Sequence, residues 1–308
     1  MDFSIIIPSY NRNQVLYQTI ENIENVLGKI TTNYEIIVIN DGTTEINYNS
    51  DHICVYKNQK HGVASARNYG ASLSKSENLI FLDDDILFTK DVVLQIVNFH
   101  AQETNRFILN FMRDYSPKAY MELEKLSFGR YIIKNENYFW KRWILECVKI
   151  KDDYWEAPFI ASYCIAMKKS VFNLIGGYNE QFPFAGFEDL EFANRIKNAS
   201  VKIELSGTKV LHNEFDRFNV REWLIRRYRE GATRAVYFKL FNDTQFKCSP
   251  SNVKILLFKT IKILSGPIIY ILSIMDRVIW LDRFKFYIYN GLAGAFILKG
   301  YNEYIKKT

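Results

Sequence analysis

Three consecutive carboxylates follow a short apolar run early in the chain. Residues 78–82 are brief, continuous and apolar, which predicts a buried strand, and Asp83, Asp84 and Asp85 come directly after it. A buried strand cannot hold three charges, so these carboxylates must lie past its carboxyl end, in water or on a cation. Open α/β sheets bind ligands in the crevice outside the carboxyl ends of their strands. Two carboxylates in that crevice can hold Mg²⁺ or Mn²⁺. The alternative to a metal site is an acidic turn that only faces solvent.

The first 90 residues alternate strand-like and helix-like patterns. Short apolar runs predict strands at residues 2–7, 34–39, 53–56 and 78–82. A helix-period pattern lies between the first two strands, and a second helix is predicted to open near residue 61. Strands that alternate with helices predict an α/β fold with a Rossmann-like, doubly wound, mostly parallel sheet.

The composition and the absence of certain motifs reduce the number of functional classes to which the chain can belong. The chain of 308 residues carries a formal charge of +6, and much of the excess Lys and Arg falls after about residue 217, which predicts a basic surface there rather than affinity for nucleic acid. The four widely spaced cysteines predict free thiols in a reducing compartment. No secretion signal and no charge-free stretch of spanning length is found, so a cytoplasmic protein is expected. The glycine-rich dinucleotide motif and the Walker lysine are missing, which excludes those two classes of nucleotide-binding protein.

Four motifs, in order, resemble those of family 2 glycosyltransferases with the GT-A fold. They are the turn from Pro8 to Arg12, Asn40-Asp41-Gly42, the helix start from Gly62 to Asn68, and the acidic (DxD) motif Asp83-Asp84-Asp85. The resemblance covers roughly residues 3 to 90. It implies an inverting, metal-dependent enzyme of the type found in bacterial polysaccharide biosynthesis, which takes its sugar from a nucleotide-diphosphate donor.

The resemblance assigns the donor site to the turns that follow the strands. Asp41 would read the nucleobase, and Asp85 with His212 would hold a Mn²⁺ or Mg²⁺ ion, although a lone His is often only a structural hydrogen-bonding residue. The other donor contacts would come from Pro8, Tyr10, Asn11, Arg12, Gly42, Arg67, Asp83 and Asp84. Because a carboxylate can accept the imide N–H of uracil or thymine, a UDP-sugar is the first expected donor and dTDP-rhamnose the second. Asn40 stands where the family usually has an acidic residue.

A second block resembles the later part of the same family. A predicted strand at residues 158–167 precedes the Gly-Gly-Tyr-Asn-Glu turn at 176–180, and Glu188 and Asp189 then open a helix. In the family the Asp of this Glu-Asp pair is the general base, so the resemblance assigns that role to Asp189, with Glu188 as the second candidate. The alternative is that both acids only favour the dipole of the helix, by about 1 kcal/mol or less.

The C-terminal third changes character. Residues 217–240 interleave arginines with aromatic residues, which predicts a pair of basic amphipathic helices, and residues 253–298 alternate apolar runs with single charges. Such helices fit a membrane interface, or else a helical subdomain or a subunit interface. The predicted domains are a GT-A catalytic domain at 1–215, with a nucleotide-binding half at 1–90 and an acceptor-binding half at 91–215, and a helical membrane-associating or oligomerisation region at 216–308.

Three functions remain open from the sequence. The first is a glycosyltransferase of the hexosyltransferase class that extends a glycan or a polyprenyl-diphosphate-linked glycan at the inner face of the cell membrane, for capsule, exopolysaccharide or O-antigen. The second is an inactive, membrane-peripheral binding module on the same scaffold, although it would have no need for Asp41, Asp85 and Asp189 together. The third is a nucleotidyltransferase, which would need a glycine- and basic-rich loop where the chain has Pro8 to Arg12.

Overall fold

One mixed β-sheet and a group of helices make up the computed structural model, which describes residues 2–102, 106–214 and 219–307. The strands of these residues are β1 (Phe3–Ser9), β2 (Tyr34–Asn40), β3 (Ile53–Lys57), β4 (Asn78–Leu82), β5 (Ile86–Leu87), β6 (Phe107–Tyr115), β7 (Val148–Lys151), β8 (Tyr154–Glu156), β9 (Cys164–Lys168) and β10 (Lys202–His212). The α-helices are α1 (Asn13–Val26), α2 (Val63–Leu73), α3 (Lys90–Ala101), α4 (Pro117–Glu124), α5 (Ser127–Ile144), α6 (Lys169–Ile175), α7 (Phe187–Asn198), α8 (Val220–Phe241), α9 (Asn252–Ile263), α10 (Ser265–Ile274) and α11 (Asp282–Lys307).

The strand order confirms the predicted α/β fold. Across the sheet the order is β3-β2-β1-β4-β9-β6-β10-β8-β7, and β5 pairs with β10. β1 runs parallel to β2 and β4, and β2 runs parallel to β3. β6 is parallel to β10, whereas β9 is antiparallel to both β4 and β6. Since β1, β2 and β4 are parallel neighbours, the loops after them emerge at one edge of the sheet.

The central strands are buried on both faces. Ile5, Ile6 and Ile7 of β1 are fully buried, and so are residues 36–39 of β2, with exposed fractions of 1% or less. Strands covered on both sides need apolar residues at every position rather than at alternate positions. This is why the sequence pattern of these strands is a continuous apolar run.

One predicted strand is wrong over part of its length. The strand predicted at residues 158–167 begins only at Cys164, where β9 starts. Just before it, the side-chain amide of Asn110 accepts a hydrogen bond from the N–H of Ala161 and donates one to its carbonyl, both at 2.9 Å. A side chain thus takes both backbone groups that strand pairing would otherwise use, so an apolar run continues without being a strand.

The chain separates into two compact units. The sheet unit contains the described residues of Met1–Ser116, together with Trp143–Glu180 and Glu188–Glu214. The helical unit contains Pro117–Arg142, Gln181–Phe187 and the described residues from 219 onward, so these two earlier segments lie with the C-terminal helices. The predicted domain boundary between residues 215 and 216 falls outside the described residues and stays a prediction.

The helical unit has its own apolar core, which confirms the predicted helical C-terminal region. The core consists of buried side chains from α5, α8, α10 and α11, namely Phe128, Tyr131, Trp223, Leu224, Leu272, Tyr289 and Leu292. The prediction of two helices over 217–240 is wrong, because α8 runs unbroken for 22 residues; residues 217 and 218 of that prediction lie outside the described residues.

No single helix of the described residues is long and apolar enough to cross a membrane. α9 and α10 reach that length and composition only when they are taken together, and they are bent by 67° with respect to each other.

Candidate active site

The loops after β1, β2 and β4 meet at the carboxyl edge of the sheet and bring most of the predicted residues together. Ser9, the last residue of β1, pairs in register with Asn40, the last residue of β2. The hydroxyl of Ser9 donates to the carboxylate of Asp84 at 2.8 Å, and its carbonyl accepts from the N–H of Asp41 at 2.8 Å. Residues that lie 75 positions apart are thus in direct contact, as the parallel order predicts.

Arg12 holds two of the three acidic residues through a buried ion pair. One of its terminal nitrogens lies 2.6 Å from a carboxylate oxygen of Asp84 and 2.7 Å from one of Asp85. The carbonyl of Asp84 also accepts from the hydroxyl of Thr19 at 2.8 Å. Arg12 and Asp84 were predicted to contact the donor, and the structure places both in this buried cluster, where they fix the acidic loop.

Asp85 also faces His212, which ends β10. Nε2 of His212 lies 3.3 Å from a carboxylate oxygen of Asp85, and the imidazole stacks on Tyr115 with ring centroids 5.5 Å apart. Burial opposes ionisation of Asp85, but the neighbouring charges and hydrogen bonds of His212 and Arg12 outweigh it and hold the pKa of Asp85 well below its usual range. For His212 burial acts against the charged form, and Asp85 reverses that effect and raises its pKa.

The side-chain donor atoms of Asp85 and His212 fit a metal ion whose remaining coordination positions are filled by substrate. Among the described residues no group of three or more His, Cys, Asp or Glu side chains is placed to hold a metal. Nδ1 of His212 is buried and has no hydrogen-bond partner in the described part of the chain. Mg²⁺ and Mn²⁺ in phosphate-transfer sites are commonly bound by one or two protein ligands together with substrate phosphates. Asp85 and His212 supply a carboxylate and an imidazole, which suit such an ion.

Arg67 connects the acidic motif to the predicted base. This residue of α2 is 3% exposed, and its guanidinium lies 2.9 Å from a carboxylate oxygen of Asp83. The same group lies 3.5 Å from Glu188 and 4.0 Å from Asp189, the two acids in the first turn of α7. It also stacks over the ring of Tyr178, 5.1 Å from the centroid. One cation therefore holds three carboxylates that come from distant parts of the sequence.

Asp189 is the partly exposed member of the Glu188-Asp189 pair. Its side chain is 26% exposed, whereas that of Glu188 is 2% exposed. Both the hydroxyl and the N–H of Ser162 donate to Asp189, the N–H at 3.2 Å, and the hydroxyl of Tyr178 donates to the hydroxyl of Ser162 at 2.7 Å. Burial raises the pKa of Asp189, and Arg67 and Ser162 offset this effect only in part.

Two members of this arrangement were missed in the sequence. Ser162 lies in the stretch that was predicted as a strand, where nothing marks a serine as the partner of an acid 27 residues later. Tyr178 belongs to the Gly-Gly-Tyr turn, so its presence in the motif was a usable signal. Burial also raises the pKa of Asp83, with Arg67 acting in the opposite direction.

Asp41, the residue directly after β2, lies beside the N-terminal end of α2. Its carboxylate accepts from the side-chain amide of Asn58 at 2.7 Å and from the N–H of Gly62 at 3.1 Å, and His61 lies 3.6 Å away. Gly62 has a φ of 114°, in the region that favours glycine. A carboxylate offers about four lone-pair positions, so these donors leave Asp41 able to accept one more N–H.

The turn after β1 packs against the turn after β2. The side-chain oxygen of Asn11, which has a φ of 54°, accepts from the N–H groups of Thr43 and Thr44 at 2.7 and 3.0 Å. A Cβ at Gly42 would collide with the side chain of Asn11, so this packing requires glycine. Tyr10, in the same turn, is 51% exposed and leaves its ring accessible, whereas Pro8 is half-buried within β1.

Comparison with known proteins gives the family. The family model described as glycosyl transferase family 2 matches residues 4–176, and a model described as the N-terminal domain of galactosyltransferase matches residues 143–217. An uncharacterized glycosyltransferase of Rickettsia bellii is 39% identical over 115 residues, which are 35% of this chain and 16% of that protein. The UDP-Glc:alpha-D-GlcNAc-diphosphoundecaprenol beta-1,3-glucosyltransferase WfaP of Escherichia coli is 32% identical over 126 residues, 38% of this chain and 48% of that protein. The chain thus spans less than two thirds of the length of these relatives.

A solved structure agrees with the fold. The mannosyltransferase PcManGT from Pyrobaculum calidifontis, determined in complex with GDP-Man and Mn²⁺, superposes with a TM-score of 0.55 at 13% identity, over 98% of this chain and 87% of that one. At this identity the likeness concerns the fold, and the predicted GT-A fold is confirmed. The family match over residues 4–176 covers more than half of the chain and confirms the resemblance carried by the four motifs. The chain belongs to glycosyl transferase family 2.

Proposed function

We propose that the chain is an inverting glycosyltransferase that moves a sugar from a nucleotide-diphosphate donor to a glycan or lipid-linked glycan acceptor. The observation that carries the proposal is the position of Arg67, whose guanidinium lies 2.9 Å from Asp83 of the acidic motif and 4.0 Å from Asp189. One buried cation therefore brings the acidic motif and the candidate base together. An assembly module without activity would have no use for a partly exposed carboxylate in this position.

Asp189 is the proposed general base. Its raised pKa makes it a better proton acceptor than an ordinary carboxylate, and Ser162 fixes the direction of its oxygens. As the acceptor oxygen attacks the anomeric carbon, its proton passes to Asp189. The bond from that carbon to the diphosphate oxygen breaks on the opposite face, and the nucleoside diphosphate leaves with the electron pair, so the configuration inverts.

Asp85 and His212 are the proposed protein ligands of Mn²⁺ or Mg²⁺. When bound, such an ion neutralises the charge that builds on the leaving diphosphate. Arg12, which is 2.7 Å from Asp85, keeps that carboxylate ionised and in place. Asp83 is the partly exposed acid of the motif, and Arg67 holds it in position.

Asp41 and Tyr10 are the proposed contacts to the nucleobase. Asp41 can accept the imide N–H of a pyrimidine, and the exposed ring of Tyr10 can stack on the base. A UDP-sugar is the first proposed donor and dTDP-rhamnose the second. The name of the Escherichia coli relative, which takes UDP-Glc, supports the first choice.

A polyprenyl-diphosphate-linked glycan is the proposed acceptor. The same relative is named for a GlcNAc-diphosphoundecaprenol acceptor, which supports this class. The proposed place of action is the inner face of the cell membrane, in the synthesis of capsule, exopolysaccharide or O-antigen.

A nucleotide panel tests the donor site. We expect the thermal midpoint of the chain to rise with one pyrimidine nucleoside diphosphate among UDP, dTDP, GDP, CDP and ADP, and to rise more when Mn²⁺ is present. A ligand at about 100 times its dissociation constant adds roughly 2.7 kcal/mol to stability, which is readily measured. Asp41→Asn should lose most of this shift, whereas Asp51→Asn, at an exposed acid elsewhere, should keep it.

The other outcomes of the panel separate the alternatives. A folded chain that responds to none of the nucleotides, with Mn²⁺ present, would contradict the proposal and favour the inactive module. In a separate activity assay, release of pyrophosphate from a nucleoside triphosphate and a sugar phosphate would favour the nucleotidyltransferase.

A further inference from the structure

We propose that α9, α10 and the turn after them dock on the surface of an anionic lipid bilayer. The proposal concerns the helical unit and does not depend on the transfer reaction, so either can fail without the other. The residues expected to enter the lipid, called here the exposed apolar face, are Leu256, Leu257, Ile263, Ile274, Trp280 and Phe284.

α9 is apolar on two sides, of which only one is covered. Phe258 lies against Gly294 of α11, and Ile261 packs on the core of the helical unit. Leu256 projects from the side of the helix opposite Phe258 and is 67% exposed. Leu257, at the border between the two sides, is 53% exposed, and Ile263 is 79% exposed. A helix that is apolar all round is normally buried in protein or in lipid, so the uncovered side of α9 needs a partner.

The segment after α9 continues the pattern. Leu272 of α10 is buried in the core, whereas Ile274 at the end of the helix is 65% exposed. The following turn presents Trp280, at 82% exposure, and Phe284 in the first turn of α11 is 61% exposed. Large apolar side chains this exposed are unusual on a soluble surface when they occur together. Trp is the residue that best suits the boundary between water and lipid.

The charges on α9 and α10 are of one sign. Residues 252–275 contain three lysines, all exposed, and no Asp or Glu. The first acids after them are engaged within the helical unit, since Asp276 accepts from the N–H of Ser127 at 2.7 Å and Asp282 pairs with Arg130 at 2.6 Å. An apolar face bordered by unopposed cations is complementary to lipid with anionic headgroups.

A second copy of the chain is a poorer partner for this face. A symmetric dimer would place the same patch on both sides of the interface. The lysines at 254, 259 and 262 would then approach the lysines of the other copy and repel them. An anionic bilayer instead attracts each of them, which decides between the two partners.

The apolar contribution is tested with vesicles and matched variants. The 308-residue chain is sedimented with vesicles of phosphatidylglycerol and phosphatidylcholine, and with vesicles of phosphatidylcholine alone. We expect firm binding to the anionic vesicles and weak binding to the neutral ones. The double variant L256S/L257S should bind at least tenfold more weakly, whereas the control L145S/L174S, at two exposed leucines of the sheet unit, should bind like the unchanged chain.

The electrostatic contribution has its own pair of variants. Each lysine near an anionic surface is worth about fivefold in affinity, so K254Q/K259Q/K262Q should weaken binding by at least tenfold. The control K29Q/K90Q/K197Q removes the same charge from exposed lysines of the sheet unit and should have little effect. Equal losses in both triple variants would mean that net charge alone drives binding, which would overturn the proposed face.

Trp280 provides a readout of insertion. Its fluorescence should shift to shorter wavelength on anionic vesicles, and Trp280→Phe should keep binding while losing most of that shift. No vesicle binding, or binding that L256S/L257S leaves unchanged, would overturn the proposal. It would equally be overturned if L256S/L257S abolished a concentration-dependent dimer in analytical ultracentrifugation and left vesicle binding intact, because the face would then be a subunit interface.

Discussion

At the scale of single residues, Arg67 organises the candidate active site. Its buried guanidinium lies within 4.0 Å of Asp83, Glu188 and Asp189. A buried cation with several carboxylate partners fixes their positions, because moving any of them away would leave charge uncompensated in a poorly solvated place. Ser162 donates two hydrogen bonds to Asp189, the proposed base, and so fixes the orientation of its carboxylate.

Ser162→Ala is predicted to change the pH dependence of transfer. The hydroxyl of Ser162 stabilises the ionised form of Asp189, so its removal should raise the pKa of Asp189 further. The base works when it is ionised, so the acid limb of the rate profile should move to higher pH. Ser162 also orients the carboxylate, and misplacement of a catalytic group can cost about a hundredfold in rate, so the maximal rate should fall by about ten- to a hundredfold.

Tyr178→Phe is the matched control for this prediction. The hydroxyl of Tyr178 contacts Ser162 rather than Asp189, so this variant keeps both hydrogen bonds to the base. We expect a smaller loss of rate and a nearly unchanged acid limb. If Ser162→Ala lowers the thermal midpoint but leaves the acid limb where it was, Ser162 has a structural role and does not position the base.

The three acids of the motif show what a sequence can and cannot predict about single residues. The strand before them and their place at the carboxyl edge followed from the apolar run. Their environments did not, because adjacent acids look alike in a sequence. The side chain of Asp83 is 36% exposed, whereas Asp84 is buried against Arg12, which lies 72 positions earlier in the chain. Such pairings depend on contacts that only the folded chain brings together.

At the scale of elements, the sequence predicts a strand correctly where the residues of that strand alone show that it is buried. β1, β2 and β4 are continuous apolar runs buried on both faces, and all three were predicted. The start of β9 was not, because the side chain of Asn110 occupies the backbone groups of Ala161. The unbroken α8 packs closely against α11 at Gly231 and Gly300, two glycines whose proximity the sequence pattern does not reveal.

Gly300→Ala is predicted to destabilise the helical unit. A Cβ at Gly300 would collide with the carbonyl oxygen of Tyr228 in α8, and a backbone atom cannot move aside as a flexible side chain can. Overpacking of this kind costs about 1 to 3 kcal/mol. The matched control is Gly266→Ala in α10, where a Cβ would meet nothing within 4 Å in the described part of the chain.

The two glycine variants should differ clearly in stability. Gly266→Ala should leave the thermal midpoint nearly unchanged, because the helix propensity of alanine is opposed by contact of its Cβ with the ring of the next residue, Pro267. Thermal midpoints of the full chain measure both effects under the same conditions. A midpoint for Gly300→Ala equal to or above that of the unchanged chain would contradict the close approach of α8 and α11.

At the scale of the whole molecule, each of the two units has its own role in the proposals. The sheet unit contains the acidic motif, Arg67, Asp189 and His212, and the helical unit contains the exposed apolar face. The membership of residues 117–142 in the helical unit could not be predicted, since it rests on contacts such as that of Phe128 with Trp223 and Tyr289. The family, by contrast, was predictable from four short motifs because their order and spacing are specific.

The most direct test of the central claim is the transfer rate of Asp189→Asn. The assay follows release of nucleoside diphosphate from the donor chosen by the nucleotide panel, with a polyprenyl-diphosphate-linked GlcNAc as acceptor. Loss of general-base assistance should slow transfer by about 10²- to 10⁴-fold, with the thermal shift by the nucleotide unchanged. Glu188→Gln, which changes the buried neighbour, should retain more activity. Full activity in Asp189→Asn together with an inactive Glu188→Gln would contradict the account.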